Sequence, residues 1–111
     1  ERLRRALGDW YAYTIDEPGV ARALSEIWAE AATKPLIRDL VARRRERVLV
    51  IAQLIIRDGI ATGELPATLD PDAASRAIAC LLDGIVLERV ERGAELTFAD
   101  VERRVDLIAG W

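Results

Sequence analysis

The sequence predicts an all-α domain of five helices. Three observations carry this reading. Apolar residues recur at the three-to-four spacing of a helix in five successive segments, and no segment alternates as a half-buried strand would. The breaks between segments are spelled with helix punctuation: Pro18, Pro35, Gly59, Asp70-Pro71, Thr97 and Gly110. The 111 residues are about half apolar and a third charged, which suits one domain with a modest core.

The first helix is expected over about 2–15, with Leu3, Leu7, Trp10 and Thr14 on one face and Ala6 and Tyr11 beside them. Asp-Glu-Pro-Gly at 16–19 breaks it. Asp16 or Glu17 can cap the next helix, and Pro18 suits a first turn. That second helix, about 18–32, has Val20, Leu24, Ile27 and Ala31 as its stripe and Trp28 at the edge. Pro35 stops it, since proline cannot donate a backbone hydrogen bond and restricts Lys34 before it.

The third helix is expected over about 35–58. Ile37, Leu40, Val41, Val48, Ile51, Ala52 and Ile55 form a wide apolar face opposite Asp39, Glu46, Gln53 and Arg57, so this is read as the central helix. Gly59 is expected to end it as the C′ residue. Asp70 caps the fourth helix, about 71–92, with Pro71 at its first position. Its apolar residues reach almost all the way round, interrupted by Ser75, Arg76 and Asp83. A helix of that kind is buried on nearly all sides, with one face for the core and another for a second chain. The fifth helix, about 98–109, opens with a Thr97–Asp100 capping box and a Leu96–Val101 staple, carries Phe98, Val101, Val105 and Ile108, and ends at Gly110. Local chemistry accounts for the loop from 59 to 70 except for its Gly63-Glu64-Leu65.

Composition narrows the function. Histidine is absent and Cys80 is the only cysteine, which excludes an internal disulfide and every zinc site built on His or Cys. No serine or cysteine has a partner base in the pattern, and no glycine-rich phosphate loop occurs. No catalytic residue, metal ligand or cofactor site is therefore assigned. Cys80 sits in the run Ala-Ile-Ala-Cys-Leu-Leu and reads as a small buried hydrophobe. Glu30 and Glu64 make no catalytic pair, because nothing places them together. No apolar run approaches the roughly 18 residues of a membrane span, and no signal-peptide pattern opens the chain, so no membrane partner is assigned and the expected location is the cytoplasm. The chain lacks methionine and opens in mid-pattern (Glu-Arg-Leu-Arg-Arg-Ala-Leu), as the C-terminal piece of a longer protein would.

Three stretches, in order, carry a family resemblance. IWAEAATKPLIRDL ends a helix before Pro35. IIRDGIATGEL leads from Asp58-Gly59 to Gly63-Glu64-Leu65. LDPDAASRAIACLLDGIVL runs from Asp70-Pro71-Asp72 to Leu82-Asp83-Gly84. Over about 20–90 the chain resembles the C-terminal domain of TetR-family transcriptional regulators. The resemblance implies a ligand-sensing and homodimerisation domain of a repressor, with DNA bound only through an N-terminal helix-turn-helix that this chain lacks. It also implies that residues 1–69 mainly form the effector pocket, while 70–111 mainly form a four-helix dimer interface from the last two helices of each subunit. The partners so implied are a second copy of the chain and a pocket ligand; Arg44 amid the apolar stripe of the third helix adds that the effector is small and hydrophobic with one anionic or hydrogen-bond-accepting group.

The candidate pocket residues are Trp10, Tyr11, Trp28, Arg44, Val48 and Ile51. Arg44 falls in the apolar stripe of the third helix, where an arginine needs an internal carboxylate, a ligand, or room to snorkel to water. The candidate interface residues are Arg76, Ile78, Leu82, Asp83, Ile85, Val86, Val101, Val105 and Ile108. A dimerisation module without a ligand is the alternative, and a small helical enzyme a more distant one.

The run Arg43-Arg44-Arg45-Glu46-Arg47 could suggest a nucleic-acid surface, but on a helix its arginines point in several directions, and the net charge is −3. The 111-residue chain is therefore expected to leave DNA unbound. A fluorescence-anisotropy titration at physiological salt should stay flat to tens of micromolar, where ordinary non-specific binders already respond. Saturable binding to a palindrome would contradict this.

Overall fold

The computed structural model describes residues 1–111, the side chain of Ala94 excepted. Helix α1 spans Arg2–Trp10 and closes in a π-helical turn, Tyr11–Ile15. Helices α2 (Val20–Ala31), α3 (Pro35–Thr62) and α4 (Pro71–Arg92) follow, then a 3₁₀ turn at Gly93–Glu95 and α5 (Phe98–Ala109). Among the described residues there is no strand.

The π turn corrects the reading of the first helix. The Asp16 amide donates to the Tyr11 carbonyl at 2.9 Å, a five-residue step that widens the helix. The wider turn brings Ile15 into the core at 2% exposure and leaves Thr14 half-buried. Helix α2 starts at Val20, with Gly19 (φ 82°) before it and no side-chain cap, so neither Asp16 nor Glu17 caps it. Its inward residues are Ala21, Leu24 and Trp28, and Ile27 stands at the rim.

Gly59 does not end α3. It lies buried inside the helix, which runs one turn further to Gly63 (φ 82°). Gly59 serves as a seat: an added Cβ would meet Leu65 Cδ1 at 2.7 Å and Cγ at 2.9 Å. The Leu65 amide donates to the Gly59 carbonyl at 3.0 Å, and Leu65 is 5% exposed. This explains the loop spelling. Gly63 supplies the left-handed turn, and Leu65 folds back onto the hollow that Gly59 leaves.

The predicted apolar face of α3 is turned as well. Leu49, Ile56 and Gly59 are buried, whereas Leu40, Val48 and Ile51 are exposed, as are Leu36, Val50 and Leu54. Gln53, expected on the solvent side, reaches α4 and donates to Asp72 Oδ1 at 2.9 Å.

Helix α4 follows its sequence signals. Asp70 Oδ1 accepts from the amides of Asp72 (3.0 Å) and Ala73 (3.3 Å). Ile78, Ile85 and Val86 are buried in the core with Val101, Val105 and Ala109 of α5, so these five branched side chains hold the single chain together. They are not on its surface, as an interface assignment would require. Ala77, Cys80, Gly84 and Leu87 face outward, and Cys80 is exposed rather than buried. Both halves of the Thr97–Asp100 capping box form, and Gly110 (φ 63°) closes α5. A fork of hydrogen bonds from Arg104 to Glu88 ties α5 to α4. The Arg89 guanidinium donates to the Ile15 carbonyl at 3.3 Å, tying α4 to the π turn.

Two outcomes follow. Gly59→Ala should destabilise by about 1–3 kcal/mol, the usual range for overpacking, despite the better helix propensity of alanine. Chemical denaturation would measure it, and Gly59→Ala should cost less in a Leu65→Ala background than in wild type. Folding also acidifies two carboxylates: Glu88 chiefly through its hydrogen bond from Arg104, and Asp100 chiefly through the Thr97 amide. Groups acidified by folding contribute stability above their unfolded pKa, near 4, and lose it as pH falls through the folded value. Denaturant midpoints should therefore decline below about pH 5, and Glu88→Gln should make that decline shallower.

Candidate functional site

A cavity of about 230 Å³ opens between α1, α2, α3 and α4. For scale, a dry cavity of roughly 150 Å³ holds one benzene. Trp10 and Thr14 line it from the first helix, and Leu24, Ile27 and Trp28 from α2. Helix α3 contributes Val41, Arg44, Arg45 and Val48, and α4 contributes Ala79, Leu82, Asp83 and Val86. Two tryptophans and a set of aliphatic residues make most of the wall, with few polar groups, the usual make-up of a small-molecule site.

Why these residues meet follows from the helices. The half-buried side of α2 turns Leu24 and Trp28 inward. Trp10 is the last residue before the π turn, which widens the helix and sets Thr14 on the same wall. Helix α4 shows the cavity one face (Ala79, Leu82, Val86) and α5 another.

Of the sequence-predicted pocket residues, Trp10, Trp28, Arg44 and Val48 are on this wall. Tyr11 is not. Its hydroxyl donates to the Leu96 carbonyl at 3.0 Å and its ring meets Phe98 edge-on at 5.5 Å, so it braces α5 instead. Burial pushes its pKa upward, which keeps the phenol a hydrogen-bond donor. Ile51 is 58% exposed and lies off the wall.

Arg44 is exposed at the rim, and no internal carboxylate pairs with it among the described residues. Its neighbour Arg45 makes the internal pair, with Asp83 across the α3–α4 junction. The signal for Arg45 was in the sequence. Positions 45, 49, 52, 56 and 59 form a helical stripe of their own, but α3 is apolar on two sides, and the wider stripe through Leu40, Arg44, Val48 and Ile51 was the more conspicuous.

Three residues assigned to the dimer interface, Leu82, Asp83 and Val86, face the cavity. Arg76 pairs with Asp72 at 3.2 Å one turn away on its own helix, and Ile108 is half-buried. The cavity thus takes residues from both sides of position 70. A second hollow of about 230 Å³, near Glu1 and the end of α3, is bordered by the paired charges of Arg2 and Asp58 at 3.3 Å. Those groups already satisfy one another. Among the described residues no group of three His, Cys, Asp or Glu side chains is placed to hold a metal, and no helix is long and apolar enough to cross a membrane.

The all-helical, five-helix order is consistent with a regulator's C-terminal domain, and comparison with known families agrees. The chain belongs to the family of BetI-type transcriptional repressor C-terminal domains, which it matches over residues 1–108. It is thus a TetR-family C-terminal domain, from a family of regulators rather than enzymes. Comparison with curated proteins and with solved structures gave no match.

The two arginines should respond differently to truncation. Arg44→Ala should change stability by less than about 0.5 kcal/mol, as surface substitutions do. Arg45→Ala should cost about 1 kcal/mol, since its pair with Asp83 is roughly a third exposed and screened accordingly. Thermal melts of both variants beside Asp83→Ala would show it, with Arg45→Ala and Asp83→Ala non-additive when combined.

Proposed function

We propose that this chain is the ligand-sensing and homodimerisation domain of a transcriptional repressor that works in the cytoplasm. The observation that carries the reading is the two-sidedness of α4. One face walls an apolar cavity, while Ala77, Cys80, Gly84 and Leu87 leave the opposite face exposed and closely approachable. The effector is a small, flat, largely apolar molecule, held against Trp10 and Trp28 with the arginines nearby. The dimer partner packs on the outer face of α4 and on α5, where Leu107 is 87% exposed.

The mechanism is a population shift. An effector that binds one arrangement of α4 more tightly than another favours that arrangement in both subunits. Helix-turn-helix readers joined to such a dimer engage two half-sites one duplex turn apart, so a change in their separation weakens both contacts together. Operator binding by the readers is thereby linked to occupancy of the cavity.

Light scattering on the chain should give twice the chain mass at micromolar concentration, and Gly84→Arg should give the monomer with its helicity kept. A wild-type monomer would remove the dimer from this reading. Ligand sensing has its own check. Small aromatic compounds that bind should quench tryptophan fluorescence and raise the melting temperature by mass action. Ala79→Phe, which fills the wall from α4, should weaken them by tenfold or more. A panel without any such compound would leave only the dimerisation role.

A further inference from the structure

We propose that the cavity selects an apolar anion, and that binding exchanges the partner of Arg45: the ligand's anionic group replaces the Asp83 carboxylate and frees α4 from α3. This deepens the ligand-sensing reading and rests on it.

Arg45 and Asp83 belong to two different helices, and both line the cavity. Their side chains are 38% and 35% exposed, so the pair belongs to the wall while staying open to water on one side. Among the described residues it is the ion pair that joins α3 to α4. The other polar link between them, Gln53 to Asp72, lies at the start of α4. The one further charged group on the wall is Arg44, which makes the wall two cations and one anion.

That balance decides the ligand class. A cation would find the faces of Trp10 and Trp28 attractive, but it would meet two guanidiniums and a carboxylate already engaged. A neutral ligand would leave the pair as it is. An anion is drawn to the guanidiniums and opposed by Asp83, with which it competes for the same donors. The opposition ends when Asp83 turns away. Asp83 is placed to do so, between Leu82 on the cavity side and Gly84 on the exposed side of α4. Arg44, exposed at the rim, is the weaker anchor because water and salt screen it. An anion seated on Arg45 thus removes the charged link between the helix that walls the cavity and the helix proposed to carry the partner.

Two fluorescent probes with one ring body test this: the anion 1-anilinonaphthalene-8-sulfonate and the neutral N-phenyl-1-naphthylamine. Both are titrated into wild type, Asp83→Asn, Arg45→Gln, Arg44→Gln and Arg45→Gln/Asp83→Asn, each checked for a cooperative melt. Asp83→Asn should tighten the sulfonate about tenfold, the size of one hydrogen bond to a charged group, and change the neutral probe by less than about twofold. Arg45→Gln should weaken the sulfonate alone, and the double variant should keep only the small sulfonate preference that Arg44 supplies.

Equal responses of the two probes to Asp83→Asn would overturn the exchange. So would a sulfonate preference that vanishes in Arg44→Gln and survives in Arg45→Gln. Benzyltrimethylammonium displacing the neutral probe, more weakly in Asp83→Asn, would assign the cavity to cations instead. Ala79→Phe, with Ala79→Leu as the milder filling, locates the probes. If they bind both filled variants as they bind wild type, they sit on the outer apolar residues of α3, and it is the ligand-site reading that fails.

Discussion

The packing of α4 is the constraint on which the rest of the structure depends. It contacts α2, α3, α5 and both irregular turns. Ile78, Ile85 and Val86 are at most 5% exposed, and Val86 also reaches the cavity wall. Burying each such side chain contributes roughly 1.5–3 kcal/mol, before the entropy of ordering it. The helix therefore cannot shift freely against all its neighbours. Movement is most permissive where packing is thinnest, on the cavity side between Ala79 and Asp83. Polar links hold its ends: Asp70 and Gln53 at the start, Glu88–Arg104 and Arg89 to the Ile15 carbonyl near the finish.

The parts of the fold legible in the sequence were those written in local chemistry. Asp70-Pro71, Thr97 with Asp100, and Gly110 each fix a helix end within a few residues, and the bounds of α4 and α5 agree with them. What was not legible depends on contacts distant in sequence. Gly59 carries the local signature of a helix stop, yet a helix interior accepts a glycine where a later residue, here Leu65, occupies the missing side-chain volume. The π turn at Tyr11–Ile15 likewise has no compositional mark. It appears because it buries Ile15 and lets the Tyr11 hydroxyl reach the Leu96 carbonyl.

The candidate site was legible in kind more than in detail. Tryptophans on neighbouring helices indicated an apolar pocket, and Trp10 and Trp28 both line one. The sequence singled out Arg44, which does line the wall, and passed over its paired neighbour Arg45, because α3 offers two apolar stripes. One holds Leu49, Ile56 and Gly59, the other Leu40, Val48 and Ile51 with Arg44 among them. A helix wheel ranks faces by hydrophobicity alone. It cannot tell which face a neighbouring helix will cover. The same ambiguity moved Leu82, Asp83 and Val86 from the outside of α4 to its inside.

Placing the ion pair at Arg45 rather than Arg44 changes what kind of device the cavity can be. A lone arginine on a rim can bind an anion without any consequence for the fold, because nothing is displaced. An arginine already paired across two helices cannot, because its new partner must replace the old one. The free energy of that replacement is the coupling, and it is reciprocal: whatever loosens α4 from α3 also eases entry of the anion. A partner seated on the outer face of α4 acts on the same helix, so its contacts bias the same equilibrium. Coupling of this kind needs no long pathway through the core. It needs one helix with two usable faces and a polar contact that can change partners; α4 has an inner face on the cavity, an exposed outer face, and Asp83 paired with Arg45.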